Sequence, residues 1–485
     1  MSSESIRELG SLPGPKGLPV LGNALQIRPA VFHRQLEDWV AEYGPAYRIA
    51  IGSRQYLCTA DPEHIDSVLR RRPDVFRRAE RLEQIAQDIG FVGVFSASGG
   101  TWRRQRQMVM AGLDPRHIRN FLPALVDVTE RLQRRWLAAA QAGRDLDLLD
   151  ELMRYTVDVT TSLAFGKNLN TIEEGDSALI QRHLNVIFPT IMRRLLAPVD
   201  FDHYLGNWRI AGHLRELRQA VDGFIATARR ELEQDPALRE RPRNLLHALL
   251  VARDRPDSGL TDEDVSGNVF TMLLAGEDTT AYTIAWMLWF LQRHPDTLRQ
   301  AQAEVDSALA GARLATSMEQ LAGMDYLQAC AYEAMRLKPV APLIINEAVE
   351  DTVVGDIRIP RNAQVMCIMR PTVLDPARVE QPTAFDPARW LDPQAQAAHF
   401  KRASMPFGSG PRTCPGRFLA LVEIKLLASM LLANFDLEEV GSQNGAEPAE
   451  KLSFVMAPEA MRMRLRPKAR ASAARQSAAA EAVQS

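Results

Sequence analysis

Residues 407–416 read Phe407-Gly408-Ser409-Gly410-Pro411-Arg412-Thr413-Cys414-Pro415-Gly416, and a largely apolar run to Asn434 follows directly. Pro415 predicts the start of a helix, since proline suits the first helical position. Backbone N–H groups without partners, and the positive helix end, then point at the Cys414 sulfur and hold it ionised. A thiolate, not a thiol, is what a soft metal centre takes as a ligand. Gly408, Gly410 and Gly416 let the backbone approach a flat ligand closely. Arg412 offers a fixed cation to a carboxylate on that ligand. A lone cysteine is more often inert and buried, but this one arrives with a loop built around it.

The rest of the chain bounds the setting. With 485 residues, 46% hydrophobic and 24% charged, it has material for a large core. A formal net charge of -2 offers no basic field for nucleic acid. The cysteines, Cys58, Cys330, Cys367 and Cys414, are scattered, which argues against a disulfide framework or a zinc site. That usage points to a reducing, cytoplasmic compartment. The N-terminal stretch has no apolar run of the roughly 20 residues that span a bilayer, nor the plan of a signal peptide. A soluble monomer is expected.

Residues 1–10 read as a flexible N-terminus, 11–466 as one domain, and 467–485 as a disordered tail of small polar residues. Within the domain, 11–22 is a Pro- and Gly-rich extended lead-in, and 46–60 a hairpin around Gly52-Ser53. From about 61 to 340 the periodicity is helical, as in 116–143 and 145–166. Short strands follow at 343–349, 352–359 and 363–369, then an irregular stretch over 371–411 and a terminal hairpin over 453–466. One helix stands apart. It opens at Thr261, an N-cap followed by three acids, and runs to about Arg293. Its centre is apolar on nearly every face, yet holds Ala275-Gly276-Glu277-Asp278-Thr279-Thr280. Acids and glycine inside a buried helix cost stability and call for a reason.

Three further constellations bear on chemistry. A threonine in mid-helix can bond the carbonyl four residues back and distort the helix, and an acid beside an alcohol makes a proton relay; a solvated groove is the alternative for Asp278 and Thr279. Glu333 and Arg336 stand at i and i+3 on one face, by themselves a surface ion pair. Trp102 and Arg106 stand at i and i+4, by themselves a core tryptophan beside a solvated arginine.

Taken together, these motifs resemble the cytochrome P-450 superfamily, of soluble bacterial type. The Cys414 segment fits its F-x-x-G-x-R-x-C-x-G pattern, and the motifs span residues 102–416. The resemblance implies a mainly α, single-domain fold with a small β region and one haem b. It makes Cys414 the axial iron ligand, with Phe407, Arg412 and Gly416 around the haem. Trp102 and Arg106 become a propionate clamp, Ala275 and Gly276 line the oxygen site, and Asp278 and Thr279 deliver protons. Glu333 and Arg336 are expected to be buried with Arg389, from Phe385-Asp386-Pro387-Ala388-Arg389-Trp390, in a structural network.

One departure stands out. The family places a basic residue ten positions after the Arg of E-x-x-R, and this chain has Asn346 there. A propionate is expected to lose a cation. The implied reaction is insertion of one oxygen atom from O2 into an apolar substrate. No stretch is left for a flavin domain or an iron–sulfur cluster, so a separate ferredoxin or flavodoxin with its reductase is implied, and Arg103, Arg104 and Arg417 are candidates for docking it. A peroxide-driven peroxygenase, a haem-thiolate isomerase or dehydratase, and a non-enzymatic gas sensor remain alternatives. By analogy with the fold, the substrate walls are 85–98, 185–196, 270–279, 340–345 and 455–461. Their apolar side chains include Ile89, Phe91, Val92, Phe95, Ile187, Phe188, Met192, Val340, Leu343 and Met456.

Overall fold

A computed structural model describes residues 6–166, 169–174, 179–197, 201–205, 207–392 and 403–468. Most of the described chain is helical. The helices Asp262–Gly276 and Asp278–Arg293 run through the middle of the core, where Ile284 to Leu288 are fully buried. Helices Leu148–Phe165, Asp325–Leu337 and Arg417–Asn434 pack around the second of them. Thr261 caps the first as expected, in a reciprocal pair with Asp264.

The helix expected over 261–293 is in fact two, meeting at Glu277 (φ −91°, ψ −77°). Gly276 is a weak helix former, and the Thr279 hydroxyl donates to the Ala275 carbonyl at 2.9 Å. The mid-helix threonine signals the distortion, while apolar periodicity on both sides hides that it is a full break.

Among the described residues the β structure forms four sheets. Its main sheet has the order Ala46–Ile51, Arg54–Thr59, Gln364–Ile368, Leu343–Ala348, Phe76–Arg78. The hairpin expected over 46–60 is there, turning at Gly52 with φ 60°. Residues 453–466 do not pair with one another. Met456–Pro458 pairs with Glu450–Leu452, while Arg462–Pro467 lies between Phe435–Gly441 and Leu146–Asp147. Nor is the N-terminus free as far as residue 10: Arg7–Glu8 pairs with Ile357 and Arg358, and Leu9 is buried. Apart from Pro467 and Lys468, the expected tail 467–485 lies outside the described residues. Among the described residues, no helix is long and apolar enough to cross a membrane.

Candidate haem-thiolate site

The cysteine loop is held by its backbone. Cys414 N–H donates to the Phe407 carbonyl at 2.9 Å, and Thr413 Oγ1 to the Gly410 carbonyl at 2.7 Å. Gly410 has φ 70°, and a Cβ there would lie 2.5 Å from the Leu69 carbonyl oxygen. That glycine permits close contact with helix Pro62–Arg70. Arg72, buried, ties the loop down by donating to the Ser409 carbonyl at 2.8 Å.

The helix begins later than proline suggested. Arg417 is its first residue and Gly416 its N-cap, so Pro415 stands outside it. Even so, the backbone N–H groups of Gly416 and Arg417 reach the Cys414 sulfur. Burial pushes the Cys414 thiol up; those two N–H groups and the cations Arg106 and Arg417 oppose it. Of the four cysteines, Cys414 has an exposed surface and the other three are buried. A group that is crowded by protein and still accessible lines an internal groove. Ala275 tells the same story, as the one exposed residue between Asp264 and Gln292.

Glu333 is fully buried and holds Arg336 in a bidentate pair at 2.7 and 2.8 Å. Arg389 Nε donates to it at 3.0 Å, and Trp390 Nε1, not foreseen from sequence, at 2.8 Å. Arg336 also donates to the carbonyls of Val373, Pro382 and Ala384. The network thus pins the segment leading to the cysteine loop onto helix Asp325–Leu337. Removing one partner of such a pair leaves a buried charge uncompensated, at a cost of about 3–5 kcal/mol. Glu333→Ala is therefore expected to lower the urea midpoint by that amount of stability; an unchanged midpoint would contradict this reading.

At the break in the central helix, Glu277 is buried with its Oε1 unpartnered. Burial, with the Asp278 charge adding to it, holds its carboxyl well above the usual range. Asp278 is pushed up to about 6 by burial, against a hydrogen bond from Tyr282. Glu423, buried on the cysteine helix, accepts a hydrogen bond from Thr280 and is pushed up to about 8 by burial. Neither Tyr282 nor Glu423 was singled out by sequence. A tyrosine and a glutamate on apolar helices carry no signal until tertiary packing brings them to the break.

At Asn346, where the sequence has no cation, an arginine stands across the sheet. Asn346 is fully buried, and its cross-strand partner in the register is Arg78. Facing residues of an antiparallel pair share a face. Arg78 is half-buried, its Nε enclosed without a hydrogen-bond partner and its guanidinium over the Phe95 ring at 4.5 Å. Burial lowers its pKa to about 10. Arg412, whose Nε is likewise unpartnered, donates to the Ala97 carbonyl at 2.5 Å and lies 4.7 Å over the Trp102 ring. Its pKa falls to about 9 through burial and the nearby charges of Arg78, Arg72 and Arg106. Among the described residues, none of these four arginines forms an ion pair, and Glu83 acts on Arg412 from a distance. Clustered guanidiniums with orphaned nitrogens suit a ligand bearing more than one carboxylate. The two propionates of a haem meet that description, and the groove at Cys414 meets the need for a thiolate.

An apolar cavity lies nearby, with Ile85, Ile89, Phe91 and Phe95 on one wall and Ile191, Phe270 and Phe454 on others. Phe91 stacks on Phe270 at 4.5 Å. Of the ten expected wall residues, Ile89, Phe91 and Phe95 line it. Phe188 stands behind Phe454, their rings 5.9 Å apart. Val92, Ile187, Met192, Val340, Leu343 and Met456 lie off the lining; Val340 and Met456 instead bond backbone to backbone at 2.8 Å. Phe454 sits one residue before the segment assigned to that wall.

Fold and site thus define a haem-thiolate protein. The chain belongs to the cytochrome P-450 family, a family of haem-binding oxidoreductases, which it matches over residues 12–465. It is 26% identical over 447 residues to a self-sufficient cytochrome P-450 monooxygenase of Aspergillus niger, covering 90% of this chain and 39% of that protein. A self-sufficient cytochrome P-450 monooxygenase of Penicillium camemberti is 27% identical over 445 residues, covering 89% and 41%. The chloroplastic protein LUTEIN DEFICIENT 5 of Arabidopsis thaliana is 24% identical over 438 residues, covering 87% and 72%. The chain thus spans about two fifths of the length of the self-sufficient relatives.

Proposed function

We propose that the chain is a monooxygenase that inserts one oxygen atom from O2 into an apolar organic substrate, by hydroxylation or epoxidation. The observation that carries this reading is the acid–alcohol pair, Asp278 and Thr279, at a break in the helix whose open face is Ala275. Cys414 would supply the thiolate that holds the iron. Phe407, Ala275, Gly276 and Gly416 would border the haem. Trp102, Arg106 and Arg412, with Arg78 in place of a cation at 346, would hold its propionates. Haem b, when bound, supplies the activation of dioxygen, which a thiolate ligand favours.

The chain's own part is proton supply and exclusion of water. Tyr282 holds the Asp278 carboxyl, whose raised pKa lets it both carry and reload a proton near neutrality. Asp278 passes that proton to the Thr279 oxygen as the Thr279 hydroxyl, which the Ala275 carbonyl orients, gives up its own toward the open face at Ala275. The cavity rings keep the substrate dry. Thr279→Ala is expected to bind haem and substrate yet form roughly tenfold less product per NADPH consumed, losing the rest as peroxide. Equal coupling in the two proteins would remove Thr279 from the relay.

Electrons come from a separate ferredoxin or flavodoxin with its reductase, in a cytoplasmic setting. Arg103 is paired with Asp74, and Arg417 donates to the Tyr332 hydroxyl, so Arg104 is the least engaged of the candidate docking cations. The relatives named self-sufficient make supply from a joined domain the competing arrangement. Turnover with an added ferredoxin–reductase pair, against peroxide alone, tests both this supply and the peroxygenase alternative.

A further inference from the structure

Beyond Ile89 the apolar cavity gives way to a second groove. Ile89 borders both, and the outer groove is otherwise walled by Asp88, Gly90, Asn207, Leu214, Arg215 and Arg218. Its character is opposite to that of the inner cavity. The one carboxylate in it, Asp88, is already engaged by Arg194, and by His203 at 3.0 Å. Arg215 and Arg218 form no ion pair among the described residues, so the groove is left with net positive charge.

Arg218 is placed there by construction. Its Nη2 donates to the Gly90 carbonyl at 3.2 Å, and its guanidinium lies 5.0 Å over the Phe91 ring. Gly90 has φ 77°, and a Cβ on it would fall 2.0 Å from Arg218 Nη2. Only glycine both adopts that backbone and leaves that space. Phe91 also stacks on Phe270, and both rings line the inner cavity. One ring therefore touches both the lining of the apolar cavity and a cation of the outer groove.

We propose that the outer groove binds the carboxylate of an elongated apolar substrate, with Arg215 and Arg218 as its partners, while the apolar body passes Ile89 into the inner cavity. This rests on the monooxygenase reading and narrows its substrate class to apolar carboxylic acids. The fixed head determines which carbon reaches the haem end of the cavity, so Arg215 and Arg218 are specificity residues and take no part in the chemistry.

The test is a spin-state titration of the haem-loaded protein with straight-chain carboxylic acids and the corresponding primary alcohols. The acid of each pair is expected to bind about tenfold tighter, the worth of one charged hydrogen bond at a partly exposed site. The double variant Arg215→Gln/Arg218→Gln is expected to lose that preference and keep its affinity for the alcohol. Arg218→Lys, which retains the charge, is expected to keep part of the preference. Equal binding of acid and alcohol by the unmutated protein, an equal loss of both in the double variant, or no shift with either series would overturn the assignment. The reduced carbon monoxide spectrum of the same samples separates this failure from failure of the haem-thiolate reading itself.

Discussion

Cys414→Ser abolishes the thiolate signature of the reduced carbon monoxide complex and, with it, turnover, while most of the fold survives. A hydroxyl or alkoxide is a hard donor and does not replace soft thiolate donation to iron. The fold survives because the loop is held by groups other than the sulfur: the Cys414 N–H on Phe407, the Thr413 hydroxyl on Gly410, and Arg72 on Ser409. The sulfur receives the N–H groups of Gly416 and Arg417, which a serine oxygen also accepts. The measurement is the Soret position of the reduced carbon monoxide complex, with far-ultraviolet circular dichroism as the control for folding. An unchanged Soret position with retained helicity would remove Cys414 from the iron.

What the sequence shows on its own are features written in neighbouring residues. The capping pair Thr261 and Asp264, the hairpin turn at Gly52, and the Glu333–Arg336 spacing are each local, and each is found where expected. The four-part pattern around Cys414 is local too, although Pro415 misplaces the helix start by two residues because Gly416, not Ser or Asp, is the cap. What was illegible depends on contacts between distant segments. The pairing of Arg7–Glu8 with Ile357, and of Arg462–Pro467 with Phe435–Gly441, comes from register that no hydrophobic alternation specifies. Tyr282 and Glu423 become polar partners at the helix break only after packing. Arg78 is the clearest instance. In sequence it is one of a pair of adjacent arginines, which ordinarily reads as a solvated face. Pairing with strand Leu343–Ala348 sets it opposite Asn346, on the same face of the sheet.

That pairing across the sheet sets up the last prediction. A cation crowded into protein without a carboxylate partner is costly unless an anion meets it. Arg78 and Arg412 each keep an unpartnered Nε, so each has hydrogen bonds to offer a propionate, worth about 1.5–3 kcal/mol apiece. Arg78→Ala removes one such contact and is expected to leave protein with less than about half of its haem after gel filtration. Asn346→Arg alone puts a second guanidinium opposite the first, and like charges facing each other across strands are unfavourable. It is expected to lower thermal stability without raising haem content. Combined, the two changes move the cation to the facing position of the same sheet. Arg78→Ala/Asn346→Arg is therefore expected to recover part of the haem lost by Arg78→Ala, and to be more stable than Asn346→Arg. The haem-to-protein ratios of the three variants decide the matter. Full occupancy in Arg78→Ala would mean that Arg106, Arg412 and Arg72 hold both propionates unaided. A double variant no better loaded than Arg78→Ala would mean that position 346, buried beside Cys367, cannot direct a cation to the haem.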